Sequence, residues 1–209
     1  MKFPVSKTLA ILAIVKGIFV MSMALSLLLW SIPVLSFNSD IWNLFQKRSG
    51  VTLDVETAKS YNELIIEFFK SGLKLDFLDE AEFSHMKDVR NVITVLNFVF
   101  AFSFLLLITN FIYFPKSRKR FLIQATRKTS LVVFGVTLVV SIVVLTNFYK
   151  SFFLFHEIIF IRNFIFPAES ILKTLYPDEF FFGLSAVYLL SILIVSGVVA
   201  VASHRLKLK

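Results

Sequence analysis

The stretch Thr129–Tyr149, TSLVVFGVTLVVSIVVLTNFY, decides the fold. Its β-branched content, Val132 and Val133 and then an almost unbroken run from Val139 to Val144, would read as a strand in water. It carries no charged side chain, and its length meets the roughly 20 residues that an α-helix needs to cross about 30 Å of hydrocarbon. A single segment in lipid must satisfy its backbone hydrogen bonds internally, which a helix does and an isolated strand does not. The stretch therefore reads as a transmembrane helix.

Working outward, three further apolar runs have the same character: Leu9–Leu35, Asn91–Tyr113 and Phe180–Ala202. The first follows Lys2 and Lys7 as a signal peptide would, but it is too long for an h-region and no A-x-A site follows, so an uncleaved helix is expected. The whole 209-residue chain agrees, with 57% hydrophobic residues, only 17% charged and a mean hydropathy of +0.80. The chain has no Cys, which removes disulfides, thiolate metal sites and a cysteine nucleophile. Lys16 is the one charge inside a run, near its start, where its stem can carry the ammonium to the headgroups. The other three runs hold only Ser, Thr and Asn as polar side chains, which argues against a pump or channel.

Charge distribution orients the runs. Every Asp and Glu lies within 40–88 or 157–179, whereas Lys2, Lys7, the 114–128 loop and the tail Arg205, Lys207 and Lys209 are basic without acids. Short loops rich in Lys and Arg stay in the cytoplasm. The formal net charge of +8 thus marks a membrane face and not a nucleic-acid surface, which would need basic residues gathered beside base-reading elements. The expected fold is an all-α membrane protein, a four-transmembrane-helix bundle of one domain (1–209). Both termini are inside, and a small extracytoplasmic cap forms from outer loops 36–90 and 150–179. Within the first loop, Tyr61–Lys70 puts Leu64, Ile65, Phe68 and Phe69 on one helical face and Glu63, Glu67 and Lys70 on another. That face packs against the helix ends or lies in the lipid interface. Ser71–Glu80 reads as a turn and a short strand or extended piece.

Chemistry concentrates on few residues. No G-x-S-x-G elbow or glycine-rich phosphate loop occurs. Of three histidines, His204 sits in the basic tail and receives no role. His85 precedes the second run and His156 follows the third, so topology puts both at the outer membrane surface, where a neutral-pH base acting on a lipid ester would stand. Asp88, at i+3 from His85, is spaced to orient that ring on a helix, or else to pair with Arg90. Structural histidines satisfied by backbone carbonyls remain open, as does a metal site from His85, Asp88, His156 and Glu157, although no H-E-x-x-H spacing supports the latter. The Phe-rich stretch 152–166 reads as an acyl groove or as membrane-immersed packing, and Tyr176 as an interfacial anchor.

His85-Met86-x-Asp88-Val89, then Phe155-His156 with Phe160, Asn163, Phe166-Pro167 and Pro177-x-x-Phe180-Phe181, resemble the bacterial integral membrane family of lipoprotein intramolecular transacylases. The chain departs from that pattern at Phe164, where Trp is common, and at Phe166-Pro167, where an Asp commonly intervenes. The resemblance implies a plasma-membrane enzyme acting on diacylglyceryl-modified lipoproteins at the extracytoplasmic face. It moves an acyl chain from glyceryl oxygen to the amino group of the same N-terminal cysteine, without a cofactor or metal, and yields a lyso-form lipoprotein. On that reading His85 and His156 transfer protons, Asp88 orients His85, and Arg162 or Asn163 stabilises the oxyanion or grips the substrate. The competing reading is a non-catalytic membrane subunit or chaperone whose outer cap holds a partner, with both histidines structural.

Overall fold

The computed structural model describes residues 5–51, 53–113, 119–160 and 164–207. Every regular element among them is an α-helix: α1 (Val5–Leu29), α2 (Ile32–Ser36), α3 (Ser39–Arg48), α4 (Val55–Ser71), α5 (Glu80–Tyr113), α6 (Lys119–Thr146), α7 (Phe148–Ile159), α8 (Ile171–Leu175) and α9 (Asp178–Lys207). Four apolar stretches long enough to cross a membrane fall at Ala13–Ser36, within α5, at Arg120–Thr146 and within α9. The β-branched third run is helical, as lipid requires.

The helix limits differ from the expected ones for local reasons. Pro33 has no N–H and its ring clashes with the carbonyl four residues earlier, that of Leu29, so α1 stops at Leu29 and the chain restarts as α2. α6 ends at Thr146 because Asn147 leaves the helical region (φ −131°, ψ 50°) and its amide donates to the Thr146 hydroxyl at 3.2 Å. α5 is longer than a span. Its 34 residues reach about 51 Å at 1.5 Å per residue, against about 30 Å of hydrocarbon. The first eleven, EAEFSHMKDVR, carry five charges, so they form an overhang before the uncharged run that starts at Asn91.

The chain divides into two compact units. The first comprises Met1–Trp30, Asn97–Leu138 and Ser191–Lys209. Small hydroxyl residues fill its interior: Ser22, Ser26, Ser103, Ser130, Thr137 and Ser196 are all buried among Phe19, Leu107, Val133 and Ile192. Small side chains let helices approach closely in lipid, where apolar bulk gives no advantage over the surrounding tails. Ser26 and Ser103 meet Oγ to Oγ at 3.3 Å, and Phe19 meets Phe111 edge-on at 5.5 Å. Large apolar groups such as Phe98, Leu105, Val132 and Ile194 point outward, the reverse of a water-soluble surface. Lys16 places its ammonium over the Phe121 ring at 4.7 Å, a cation–π contact that leaves no bare charge in the apolar run.

The second unit, Ser31–Leu96 and Val139–Leu190, holds both acidic intervals and a core of its own. Trp42, Ile65, Phe68, Phe69, Leu75, Leu172, Leu175 and Phe180 are its buried centre. Three helix starts are capped from sequence: Asn38 accepts from Ile41 N–H, Asp54 from Glu56 and Thr57 N–H, and Ser170 from Lys173 N–H. α4 stops at Gly72, whose φ of +80° suits glycine, and a Cβ there would lie 3.3 Å from the Arg90 guanidinium. The chain then runs without regular structure to α5, so no strand forms in the expected extended piece.

The amphipathic reading of α4 holds with a rotation. Ile65, Phe68 and Phe69 are buried, but Ile66 joins them and Leu64 is 38% exposed. A buried amide cluster sets that rotation. Asn62, fully buried, donates to Asn43 Oδ1 (2.7 Å) and Gln46 Oε1 (2.6 Å), and its own Oδ1 accepts from Gln46 and from the Tyr176 hydroxyl (2.7 Å). Gln46 also donates to the Leu175 carbonyl at 3.0 Å, which ties α3, α4 and α8 together. Of the two readings of the α4 face, packing against the helix ends is the one realised, with Met86 of α5 and Phe180 of α9 in the same core. Tyr176 is a core donor and not an interfacial anchor, and its burial pushes the phenol pKa well up so that it stays neutral.

Candidate active site

α5 begins with a reciprocal capping box. Asp79 Oδ1 accepts from Glu82 N–H at 2.8 Å, and Glu82 Oε2 accepts from Asp79 N–H at 3.2 Å. Glu82 is only 2% exposed and its other oxygen accepts from Leu172 N–H at 3.0 Å, so one carboxylate fastens the α5 overhang to the start of α8. This fixes the overhang one turn before His85. The D-x-x-E spacing was the signal for the box; nothing in the sequence pointed to its partner 90 residues away.

From that overhang His85 meets His156 of α7, with ring centroids 6.1 Å apart and planes inclined by 25°. Phenylalanines enclose the pair. Phe160 lies 4.8 Å from His85 and 5.2 Å from His156, Phe166 5.4 Å from His85, and Phe152 and Phe164 lie 4.2 Å and 5.2 Å from His156. The stretch 152–166 therefore supplies the walls around the two imidazoles.

His156 Nδ1 lies 2.8 Å from the Phe152 carbonyl oxygen, one turn earlier in α7. A carbonyl only accepts, so Nδ1 carries the proton and, in the neutral ring, Nε2 keeps its lone pair. Burial pushes the His156 pKa down; that carbonyl and Asp178 oppose the shift, while Lys173 adds to it. His85, on the overhang before the crossing, is lowered to about 4, chiefly by burial and secondly by His156, with the charge of Asp88 pulling the other way. Both rings are neutral near pH 7, held as bases and not as imidazolium ions.

The other expected residues fare differently. Asp88 acts on His85 through its charge, with no hydrogen bond between them, and it does not pair with Arg90. Arg90 instead donates to the Phe69 carbonyl at 3.2 Å and lies over Phe68 at 5.7 Å, closing the end of α4. Arg162 and Asn163 fall outside the described residues. Among the described residues no three His, Asp or Glu side chains gather to hold a metal ion, so His85, Asp88, His156 and Glu157 are not assembled as a set. Lys173 and Asp178, paired at 2.8 Å, are charged neighbours of His156 that sequence reasoning missed. Their i, i+5 spacing across the α8–α9 junction carries no recognisable signal.

Fold and site define a class: a multi-pass, all-helical membrane protein with two neutral imidazoles in an aromatic enclosure. Within that class the chain belongs to the lipoprotein intramolecular transacylase (Lit) family, whose model matches residues 10–181. Its fold is similar to that of the membrane-integral lipoprotein intramolecular transacylase Lit from Bacillus cereus, at 17% identity and a TM-score of 0.81 over 94% of this chain and 95% of that one. A histidine-to-arginine variant of the same Bacillus cereus protein matches at 17% identity and a TM-score of 0.75, over 93% of this chain and 91% of that one. No curated protein sequence matches the chain.

Proposed function

We propose that this chain carries out intramolecular acyl transfer on diacylglyceryl-modified lipoproteins, with His85 and His156 moving the protons. The α-amino nitrogen of the N-terminal cysteine attacks the ester carbonyl of its own glyceryl group. The new N–C bond gives a tetrahedral oxyanion, and an imidazole takes the proton from nitrogen. Collapse breaks the ester C–O bond, and the leaving glyceryl oxygen receives a proton from the imidazolium, leaving both histidines as they began. Ester-to-amide exchange runs downhill, and nucleophile and ester arrive on one molecule. Holding them in line lowers the barrier by roughly 7–11 kcal/mol.

The observation that carries this reading is the fixed tautomer of His156, whose Nε2 lone pair is available beside a second neutral imidazole. Asp88 supports a transient imidazolium on His85 by its charge. Arg162 and Asn163 are assigned to the oxyanion or the substrate's polar portion. A lipid-borne substrate fits the outer face of α7, where Phe153, Leu154 and Ile158 are exposed, the last by 71%. The site is assigned to the extracytoplasmic side, with both termini in the cytoplasm, because its unit holds every acidic residue and the basic clusters lie in the other.

Mass spectrometry of the N-terminal lipopeptide tests the reading, with the chain expressed in a host that lacks N-acylation. The wild type is expected to shift one acyl chain onto the amine at unchanged total mass. His85→Asn and His156→Asn are each expected to slow this about 10²–10⁴-fold while remaining folded. A lipopeptide left with its free amine by the wild type rejects the activity. Full transfer by both variants makes the histidines structural.

A further inference from the structure

The first unit has a groove of its own, remote in sequence from the histidine site. It has a volume of about 360 Å³ and is lined by Ile123, Gln124, Arg127, Lys128 and Leu131 of α6 and by Ser203 of α9. Its lining divides by chemistry: a guanidinium, an ammonium, an amide and a hydroxyl, beside two aliphatic side chains. Ser203 is only 6% exposed. Arg127 and Lys128 stand where the charged loop gives way to the uncharged run from Thr129.

Nothing in the unit can neutralise these cations. All Asp and Glu side chains fall within 40–88 or 157–179, and the unit comprises 1–30, 97–138 and 191–209, so it contains none. Two adjacent cations lining a groove at the edge of an apolar run attract a counter-charge from outside the unit. Basic pockets between transmembrane helices take anionic headgroups in this way. We propose that the groove binds one anionic phospholipid. Its phosphate lies against Arg127 and Lys128, its glyceryl oxygens accept from Gln124 and Ser203, and its first acyl carbons rest on Ile123 and Leu131. The volume falls at the small end of ligand sites, suited to a headgroup while the tails remain in the bilayer.

The test is native mass spectrometry of the purified chain in detergent, titrated with phosphatidylglycerol or with phosphatidylcholine of the same acyl chains. One phosphatidylglycerol per chain should be retained, in preference to phosphatidylcholine. Arg127→Gln with Lys128→Gln should weaken it by about 30-fold, the combined effect of two cations near a membrane surface. Removal of equal charge outside the groove, by Arg120→Gln with Arg205→Gln, should leave binding within about threefold, and Arg127→Lys should retain it, which separates a lost site from a misfolded variant. Equal retention of the two lipids overturns the site, as does equal loss in the two double variants. Displacement of phosphatidylglycerol by millimolar inorganic phosphate would also overturn the proposal, making this a site for free phosphate.

Discussion

A neutral imidazole in an apolar enclosure is ready to accept a proton but reluctant to hold one, and that sets how the site should respond to pH. With His85 lowered to about 4 and His156 also held below its ordinary value, both rings titrate below 6.5. The group that changes state in the neutral range is the substrate amine, whose ordinary pKa is about 8. The rate of acyl transfer in vesicles should therefore rise about tenfold per pH unit and level off near pH 8, with no inflection at 6.5. An inflection at 6.5 would mean that the imidazoles are solvated. The same shifts act on stability. Between pH 6.5 and about 4 the unfolded chain takes up a proton that the folded His85 refuses, so stability falls as pH drops through that window and is unaffected by this group above it. The two histidines were legible in sequence because only three occur and the charge pattern separates His204 from the others. Their mutual distance, the His156 tautomer and the Lys173–Asp178 pair were not, since each depends on a three-dimensional contact to which no local spacing corresponds.

At the scale of elements, the packing of the second unit against its own part of α9 turns on Gly183. A Cβ built there would lie 2.7 Å from the Phe45 ring, and Phe45 is itself packed edge-on against Phe180 at 6.4 Å. An aromatic ring so held cannot yield as a flexible chain end would. Gly183→Ala should therefore destabilise the protein despite the roughly 1 kcal/mol that alanine adds to a helix, because overpacking typically costs about 1–3 kcal/mol. Gly135→Ala, with nothing within 4 Å of its Cβ, should be neutral or stabilising. Thermal melts in one detergent compare the two; a lower melting temperature for Gly135→Ala than for Gly183→Ala would contradict this packing. The spans were legible because hydrocarbon allows one backbone solution for a long apolar run. The helices of the second unit were read only in part. Tyr61–Lys70 showed its period, but its rotation depends on Asn62 finding Gln46 and Tyr176, which a hydrophobic pattern does not encode. The breaks at Pro33 and Asn147 lie inside or at the edge of apolar runs, where counting hydrophobic residues overrides a local signal.

For the whole molecule, the strongest regularity is the segregation of charge. The acidic residues all belong to the second unit, which holds His85 and His156, and the first unit's Lys and Arg side chains have no acidic counterpart there. Translocating a short basic loop is unfavourable, and the anionic leaflet retains it, so this segregation supports the proposed orientation, with the histidine site outside. The absence of native Cys makes the orientation directly measurable, because each introduced thiol is the only one present. Lys74 lies between α4 and α5 with its side chain 74% exposed, and Arg205 lies in the exposed end of α9. In intact cells a membrane-impermeant maleimide should label Lys74→Cys, while Arg205→Cys should react only after permeabilisation. The reverse pattern would place the imidazole pair on the cytoplasmic side. The proposed transfer would then have to occur before lipoproteins cross the membrane, and the mass-spectrometric assay, which reads only the product, would not reveal the difference. Labelling both positions therefore tests where the chemistry occurs independently of whether it occurs.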